Sequence, residues 1–272
     1  MTDKPLFNPR RLLIGLFILF NAVVFTIVLT GDSDTVLIEP LYDTLPEGAE
    51  HVLFIGNSHT FINSVPQMVQ RLNDSDGASA PLWLGTVTQG GATLEDLSKL
   101  SEDALARRRW SFVVLQGASL EPFVGPGRYV AHFRALAARA EANGSVPILY
   151  QVWPRAHWDE AYGHAWMAAD PAAANKVIRA VSEHAVETTG ARLAPVSEVW
   201  MLAQLRHPEI KLYMKDGNHA SVAGSYLAAL MLYRTIRQRD IDPASAWRPE
   251  NLSKSHAQKL QRLVNEPLVT ER

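Results

Sequence analysis

The chain has 272 residues, 47% of them hydrophobic and 20% charged, enough for one sizeable domain and too apolar for a disordered chain. A net charge of −2, with no Lys/Arg run of the kind that tracks phosphates, points away from a nucleic-acid partner. Cysteine is absent, which excludes disulfides, thiolate catalysis and Cys-type zinc sites and is silent about compartment.

In chain order, the first signal is 19 residues without a charge, 12–30, preceded by Lys4, Arg10 and Arg11 and followed by Asp32 and Asp34. A helix needs roughly 20 apolar residues to cross the hydrocarbon core. The charge bias then leaves residues 1–11 in the cytoplasm and everything after the span across the membrane, in the periplasm of a Gram-negative cell. A cleaved signal peptide has an apolar core of about 7–15 residues and a small-x-small site. "IVLTGD" offers no such site, so an uncleaved transmembrane anchor is the reading. Residues 31–48 mix acidic residues, Gly and Pro without a helical or strand period and read as a linker.

Residues 49–240 then alternate. Apolar, β-branched runs at 51–55, 82–87, 112–116, 146–152 and 192–196 read as five strands, and 64–73, 93–108, 128–143, 170–189 and 221–238 as helices. Such alternation predicts an α/β domain, a parallel sheet covered on both faces by helices. Residues 241–272 read as a polar extension with a surface helix in "SHAQKLQRLVNE".

Four short segments follow the predicted strands or precede the last long helix: "GNSHT", "TQGGATL", "VVLQGAS" and "MKDGNHASVAGSYLAAL". Open α/β sheets bind ligands beyond the carboxyl ends of their strands. Together the segments supply the parts of acyl transfer to a serine. Ser58 is a poor nucleophile until a positioned base takes its proton, His219 is that base, and Asp216 can fix its tautomer and balance its charge. The Ser58 and Gly91 backbone N–H groups and the Gln116 side-chain amide are candidate oxyanion donors. Each has a plainer alternative: a turn serine, a helix-start histidine, an Asp-Gly turn, and a glutamine that only satisfies a strand end. His59 reads as structural, since neighbours on a turn point apart.

The four segments, in this order and spacing, resemble the blocks of the SGNH (GDSL-like) hydrolase family over about residues 50–235. The resemblance implies a three-layer α/β/α sandwich with a five-stranded, flavodoxin-like parallel sheet. It implies Ser58 as nucleophile, Gly91 as oxyanion glycine, and Asp216 and His219 as acid and base. The third block departs from the usual Gly-x-Asn-Asp: Gln116-Gly117-Ala118-Ser119 is similar to the QG type of sialate and xylan O-acetylesterase-like relatives, with the amide one methylene longer and two positions earlier.

The segment "QVWPRAHWDEAYGHAWM" (151–167) packs three tryptophans into a loop without helical period. Aromatic residues there can simply pack the loop down. Alternatively Trp153 and Trp158 offer flat faces to sugar rings and Arg155 meets an anionic group. His157, Asp159 and His164 match no metal motif.

The expectation is a membrane-anchored extracytoplasmic serine esterase that removes O-acetyl or similar short acyl groups from carbohydrate, with no cofactor and no metal. Its partners are a small acylated substrate and, through the anchor, the membrane; oligomeric state is open. An O-acyltransferase to an envelope glycan shares all chemistry up to the acyl-enzyme. A non-catalytic envelope scaffold or glycan-binding module has no physical need for Ser58, Asp216 and His219 together.

Overall fold

The structure is a computed structural model describing residues 19–20, 23–29, 35–40, 48–77 and 79–268. Its strands are β1 (Leu19–Phe20), β2 (Val23–Leu29), β3 (Thr35–Pro40), β4 (Glu50–Gly56), β5 (Leu82–Gln89), β6 (Phe112–Leu115), β7 (Val146–Tyr150) and β8 (Arg192–Ala194). The helices are α1 (Ser58–Phe61), α2 (Val65–Asp76), α3 (Leu94–Leu100), α4 (Glu102–Arg107), α5 (Glu121–Val124), α6 (Pro126–Ala142), α7 (Pro171–Val186), α8 (Val196–Arg206), α9 (Val222–Arg237) and α10 (Lys254–Asn265).

The five predicted strands form a parallel sheet in the order β5-β4-β6-β7-β8. This is the flavodoxin-like order, and β4 stands at the switch point where the chain winds first one way and then the other. Alternation along β4 divides the core. Val52 and Phe54 join the cluster under α2, α8, α9 and α10, whereas Leu53 and Ile55 join the cluster under α3, α6 and α7. A strand buried on both faces reads as an unbroken apolar run, which is why β4 stands out in the sequence.

Several expectations need correction. The helix over 93–108 is two, α3 and α4, broken at Ser101; α3 opens on a capping box between Thr93 and Asp96. Helix α8 was not expected at all. Part of the linker is strand: Thr35–Pro40 pairs antiparallel with the outer edge of β5. The expected anchor over 12–30 stands apart from these corrections: Leu19–Phe20 and Val23–Leu29 are described, as β1 and β2, with β2 pairing antiparallel with β3, and its other residues, like 1–11, lie outside the described residues. Val23, Val24, Thr26, Ile27 and Val28 are β-branched, and a short apolar run of that kind suits a pleated strand as well as a helix. Among the described residues, no helix is long and apolar enough to cross a membrane. The C-terminal extension is also more than a surface helix, since Ala257, Leu260, Leu263 and Val264 of α10 lie in the core cluster with α9.

Candidate active site

At Gly56, the last residue of β4, there is no room for a side chain. A Cβ would lie 2.2 Å from Thr60 Oγ1 and 2.6 Å from Gln116 Oε1. Asn57 follows in extended backbone and caps α1, its Oδ1 accepting from His59 N–H at 3.1 Å. Ser58 is therefore the first residue of a helix, where a backbone N–H has no intrahelical acceptor and faces outward.

The candidate acid and base, Asp216 and His219, come from the turn before α9. Gly217 takes the left-handed conformation at φ +71°, and a Cβ there would also meet Trp158 Nε1 at 2.9 Å. The turn folds back so that Asp216 Oδ1 accepts from the N–H groups of Asn218 and His219, both at 3.0 Å. Its Oδ2 lies 2.6 Å from His219 Nδ1, and His219 Nε2 lies 2.9 Å from Ser58 Oγ. Burial pushes the Asp216 carboxyl up, but the His219 ring and the two N–H groups outweigh it and hold its pKa below the ordinary value. Residues 161 apart in sequence thus meet in a serine–imidazole–carboxylate line that can move a proton off a hydroxyl.

Gly91 lies just beyond β5 in the left-handed region at φ +68°, solvent-exposed. Asn57 Nδ2 donates to Ala92 O at 3.0 Å, which fastens this loop to the serine's turn. The Gln116 amide, expected as an oxyanion donor, is engaged within the protein. It is fully buried, its Oε1 accepts from Asn57 N–H at 2.8 Å and Thr60 Oγ1 at 2.7 Å, and its Nε2 donates to Asn57 Oδ1 at 2.8 Å and to Gly117 O. Both amide hydrogens are used inside the protein, so the extra methylene serves to brace Asn57. The backbone donors Ser58 and Gly91 remain as the oxyanion candidates.

The three aromatic-loop candidates separate. Trp153 is 1% exposed, stacked on Trp200 at 4.2 Å with planes 4° apart, and donates to Asn218 O at 2.9 Å; it packs beneath the site and presents no face to a substrate. Trp158 is 54% exposed beside Gly217, with Tyr213 against its edge. Arg155 is held by Asp159 at 3.0 Å and Ser119 Oγ at 3.2 Å. The loop is also not helix-free, having a 3₁₀ turn over Glu160–Gly163. Among the described residues, no cluster of His, Asp or Glu could hold a metal ion.

The sequence reading passed over Asn57 and Asn218. Each directly precedes a candidate reacting residue, "NS" and "NH", and that repetition is the signal that could have found them. Asparagine is such ordinary turn punctuation that it reads as none.

No protein-family profile matches the chain, and no curated protein does. Solved structures do. A DUF4886 family protein from Bacteroides uniformis is 19% identical with a TM-score of 0.67, covering 79% of this chain and 93% of its own. An acetyl xylan esterase is 12% identical with a TM-score of 0.52, covering 67% and 98%; at such identities the likeness is one of fold. A protein from Slackia heliotrinireducens, proposed to be an SGNH hydrolase, is 30% identical with a TM-score of 0.59, covering 69% of this chain and 99% of its own. On that match, over the whole of the relative and with the same fold beneath it, the chain belongs to the SGNH hydrolases and is a hydrolase of ester bonds.

Proposed function

We propose that the chain is a serine esterase in which Ser58, His219 and Asp216 act as nucleophile, base and orienting acid on short acyl esters of carbohydrate. The observation that carries this is the Ser58 Oγ–His219 Nε2–Asp216 line, at 2.9 and 2.6 Å. Ser58 Oγ attacks the ester carbonyl as its proton passes to His219 Nε2. The oxyanion meets the N–H groups of Ser58 and Gly91. His219 then returns the proton to the leaving alkoxide, giving the acyl-enzyme and free alcohol. Water repeats the sequence, its proton going to His219 and then to Ser58 as the carboxylic acid leaves. Asp216, still ionised, stabilises the imidazolium in both halves.

Water as the acceptor, rather than a sugar hydroxyl, is supported by the openness of the site: the side chains of Asp216 and His219 are 46% and 25% exposed. The carbohydrate assignment rests on the exposed indole of Trp158 beside the Asp216–His219 turn, a flat apolar face of the kind sugar rings stack on. The acetyl xylan esterase of the same fold is consistent with it. Anchoring outside the cytoplasm rests on sequence alone, the uncharged run 12–30 with its flanking charges.

A fluorophosphonate probe tests the mechanism. The wild-type chain should be labelled once, at Ser58, and Ser58→Ala and His219→Ala should each abolish labelling and aryl-acetate hydrolysis. The double variant should be no worse than either single one, because such residues act as a unit. Full activity in Ser58→Ala would overturn the reading.

A further inference from the structure

Behind the reacting pair lies a polar network that the reaction does not call for. His59 follows Ser58 in sequence, yet its ring is turned inward and only 5% exposed. Its Nδ1 is 3.1 Å from Asn57 Oδ1, and its Nε2 is 3.1 Å from the side-chain amide of Asn218. The Trp153 ring stands 5.1 Å from it, tilted by 58°, and the His219 ring is 5.4 Å away, centroid to centroid. Asn218 is fastened on every side. Its N–H donates to Asp216 Oδ1, its carbonyl accepts from Trp153 Nε1–H, and its amide is 3.3 Å from Ser119 Oγ. Ser119 Oγ in turn accepts from Arg155 Nη2, and Arg155 is paired with Asp159.

Counting protons fixes how the ring is used. Asn57 donates through Nδ2 to Ala92 O and accepts at Oδ1 from Gln116 Nε2 and His59 N–H, so it shows the His59 ring an acceptor. Nδ1 therefore carries the ring proton and Nε2 keeps a lone pair. A lone pair needs a donor, and the Asn218 amide supplies one when its NH₂ end faces His59, the two ends of a carboxamide having the same shape. As placed, Asn218 Oδ1 is the atom that faces His59 Nε2 and accepts from Ser119 Oγ–H at 3.3 Å, so this pairing requires the carboxamide turned over. The His59–Asn218 bridge then forms without a net charge. Burial, and next the His219 ring, lower the His59 pKa to about 3, so the imidazole beside the base stays neutral while His219 becomes the cation.

We propose that His59 is a positioning residue, a brace that ties the turn carrying Ser58 to the turn carrying His219 through Asn218 and so sets the distance between Oγ and Nε2. The inference rests on Ser58 and His219 being the reacting pair. It goes beyond that assignment by giving the residue after the nucleophile a task in the reaction.

The test compares the full chain as wild type, His59→Ala, His59→Asn, His59→Gln, Asn218→Ala and the double alanine variant. Each is followed by fluorophosphonate labelling rate and by kcat and KM on an aryl acetate. Loss of the brace should misplace the pair and lower kcat and labelling about 10–100-fold with KM within about threefold. Gln at 59 reaches Asn218 from the Nε2 side and should recover most of the rate. Asn reaches only its own turn and should recover little, a distinction that a merely packing role would not make. His59→Ala and Asn218→Ala should be non-additive, the double variant lying within about threefold of the worse single one. A His59→Ala rate within about threefold of wild type, multiplicative single effects, or rescue by Asn as good as by Gln would each overturn the proposal. Should His59→Ala fail to fold, the Gln and Asn variants decide alone, with about a tenfold gap supporting the brace and equal rates refuting it. Labelling that persists in Ser58→Ala refutes the reacting pair instead. Labelling lost in Ser58→Ala but undiminished in His59→Ala removes the brace only.

Discussion

Gln116 and Asn57 hold each other through two hydrogen bonds of equal length, Asn57 N–H to Oε1 and Nε2–H to Asn57 Oδ1, both 2.8 Å. Because both groups are buried, the pair is a structural clamp on the residue before the nucleophile.

Gln116→Ala should therefore lower the melting temperature, because Asn57 N–H and the Thr60 hydroxyl lose their buried acceptor at about 1–3 kcal/mol for each group left unsatisfied. The folded fraction should keep kcat within about tenfold, less than the roughly 10²–10³-fold loss expected for a true oxyanion donor. Thermal melts beside single-turnover kinetics separate the two; a hundredfold fall in kcat with an unchanged melting temperature would return Gln116 to the oxyanion hole.

A second expectation concerns acid. The unfolded chain protonates His59 near 6.5, whereas the folded domain resists protonation down to about 3. The unfolded state therefore binds more protons across that window, so stability falls as pH drops from about 6.5 towards 3, with a slope of up to about 1.4 kcal/mol per pH unit for this one group. Glu121 and Glu198, whose pKa values burial raises, act with the opposite sign where they titrate. Denaturant melts of wild type and His59→Gln across pH 3–7 isolate the histidine, and the variant should show the shallower dependence. Parallel curves would show that His59 is not the group being titrated.

The third expectation follows from α10. Leu260 is fully buried against the cluster that holds α9, and Gln261 donates to the Tyr226 hydroxyl at 2.7 Å. Leu260→Ala should cost about 2–5 kcal/mol, as large-to-small changes in a packed core do. Removal of 251–272 should leave an aggregated product. A truncated chain that melts cooperatively at the wild-type temperature would make α10 dispensable.

The fourth expectation is topological. A reporter fused after Arg272 should be active only outside the cytoplasm, and replacing Arg10 and Arg11 with Glu should weaken or invert that orientation. A reporter active only in the cytoplasm would remove the anchor from the account. It would also favour the strand pairing of Val23–Leu29 with Thr35–Pro40 as the working state of this segment.

The parallel sheet was legible because β4, β6 and β7 are buried on both faces and spell uninterrupted apolar runs. The loops that follow β4, β5 and β6 were legible because Gly and Asn mark the ends of those runs. The meeting of Ser58 with His219 came from resemblance and chain order, since no local pattern encodes a contact between residues 161 apart. What escaped depends on direction. Trp153 and Trp158 are the same residue five positions apart, yet one is buried and the other exposed. Burial of Trp153 needs Trp200, which stands on the unexpected α8. That helix was itself readable: Val196, Val199, Trp200 and Ala203 are all buried and follow a helical period, and Pro195 marks its start. The aim of the Gln116 amide was not readable, because a strand-end glutamine can face the site or the scaffold without changing a letter.

The stacking of Trp153 on Trp200 has a practical consequence. Trp153 holds the carbonyl of Asn218 by its indole N–H, one residue from His219, so the ring is wired to the turn that must stay still during turnover. Any ligand or variant that shifts this turn alters the hydrogen bond and the local polarity of a stacked indole pair. Tryptophan emission should therefore change in step with displacement of the base, giving the protein a built-in optical gauge of its own reactive geometry.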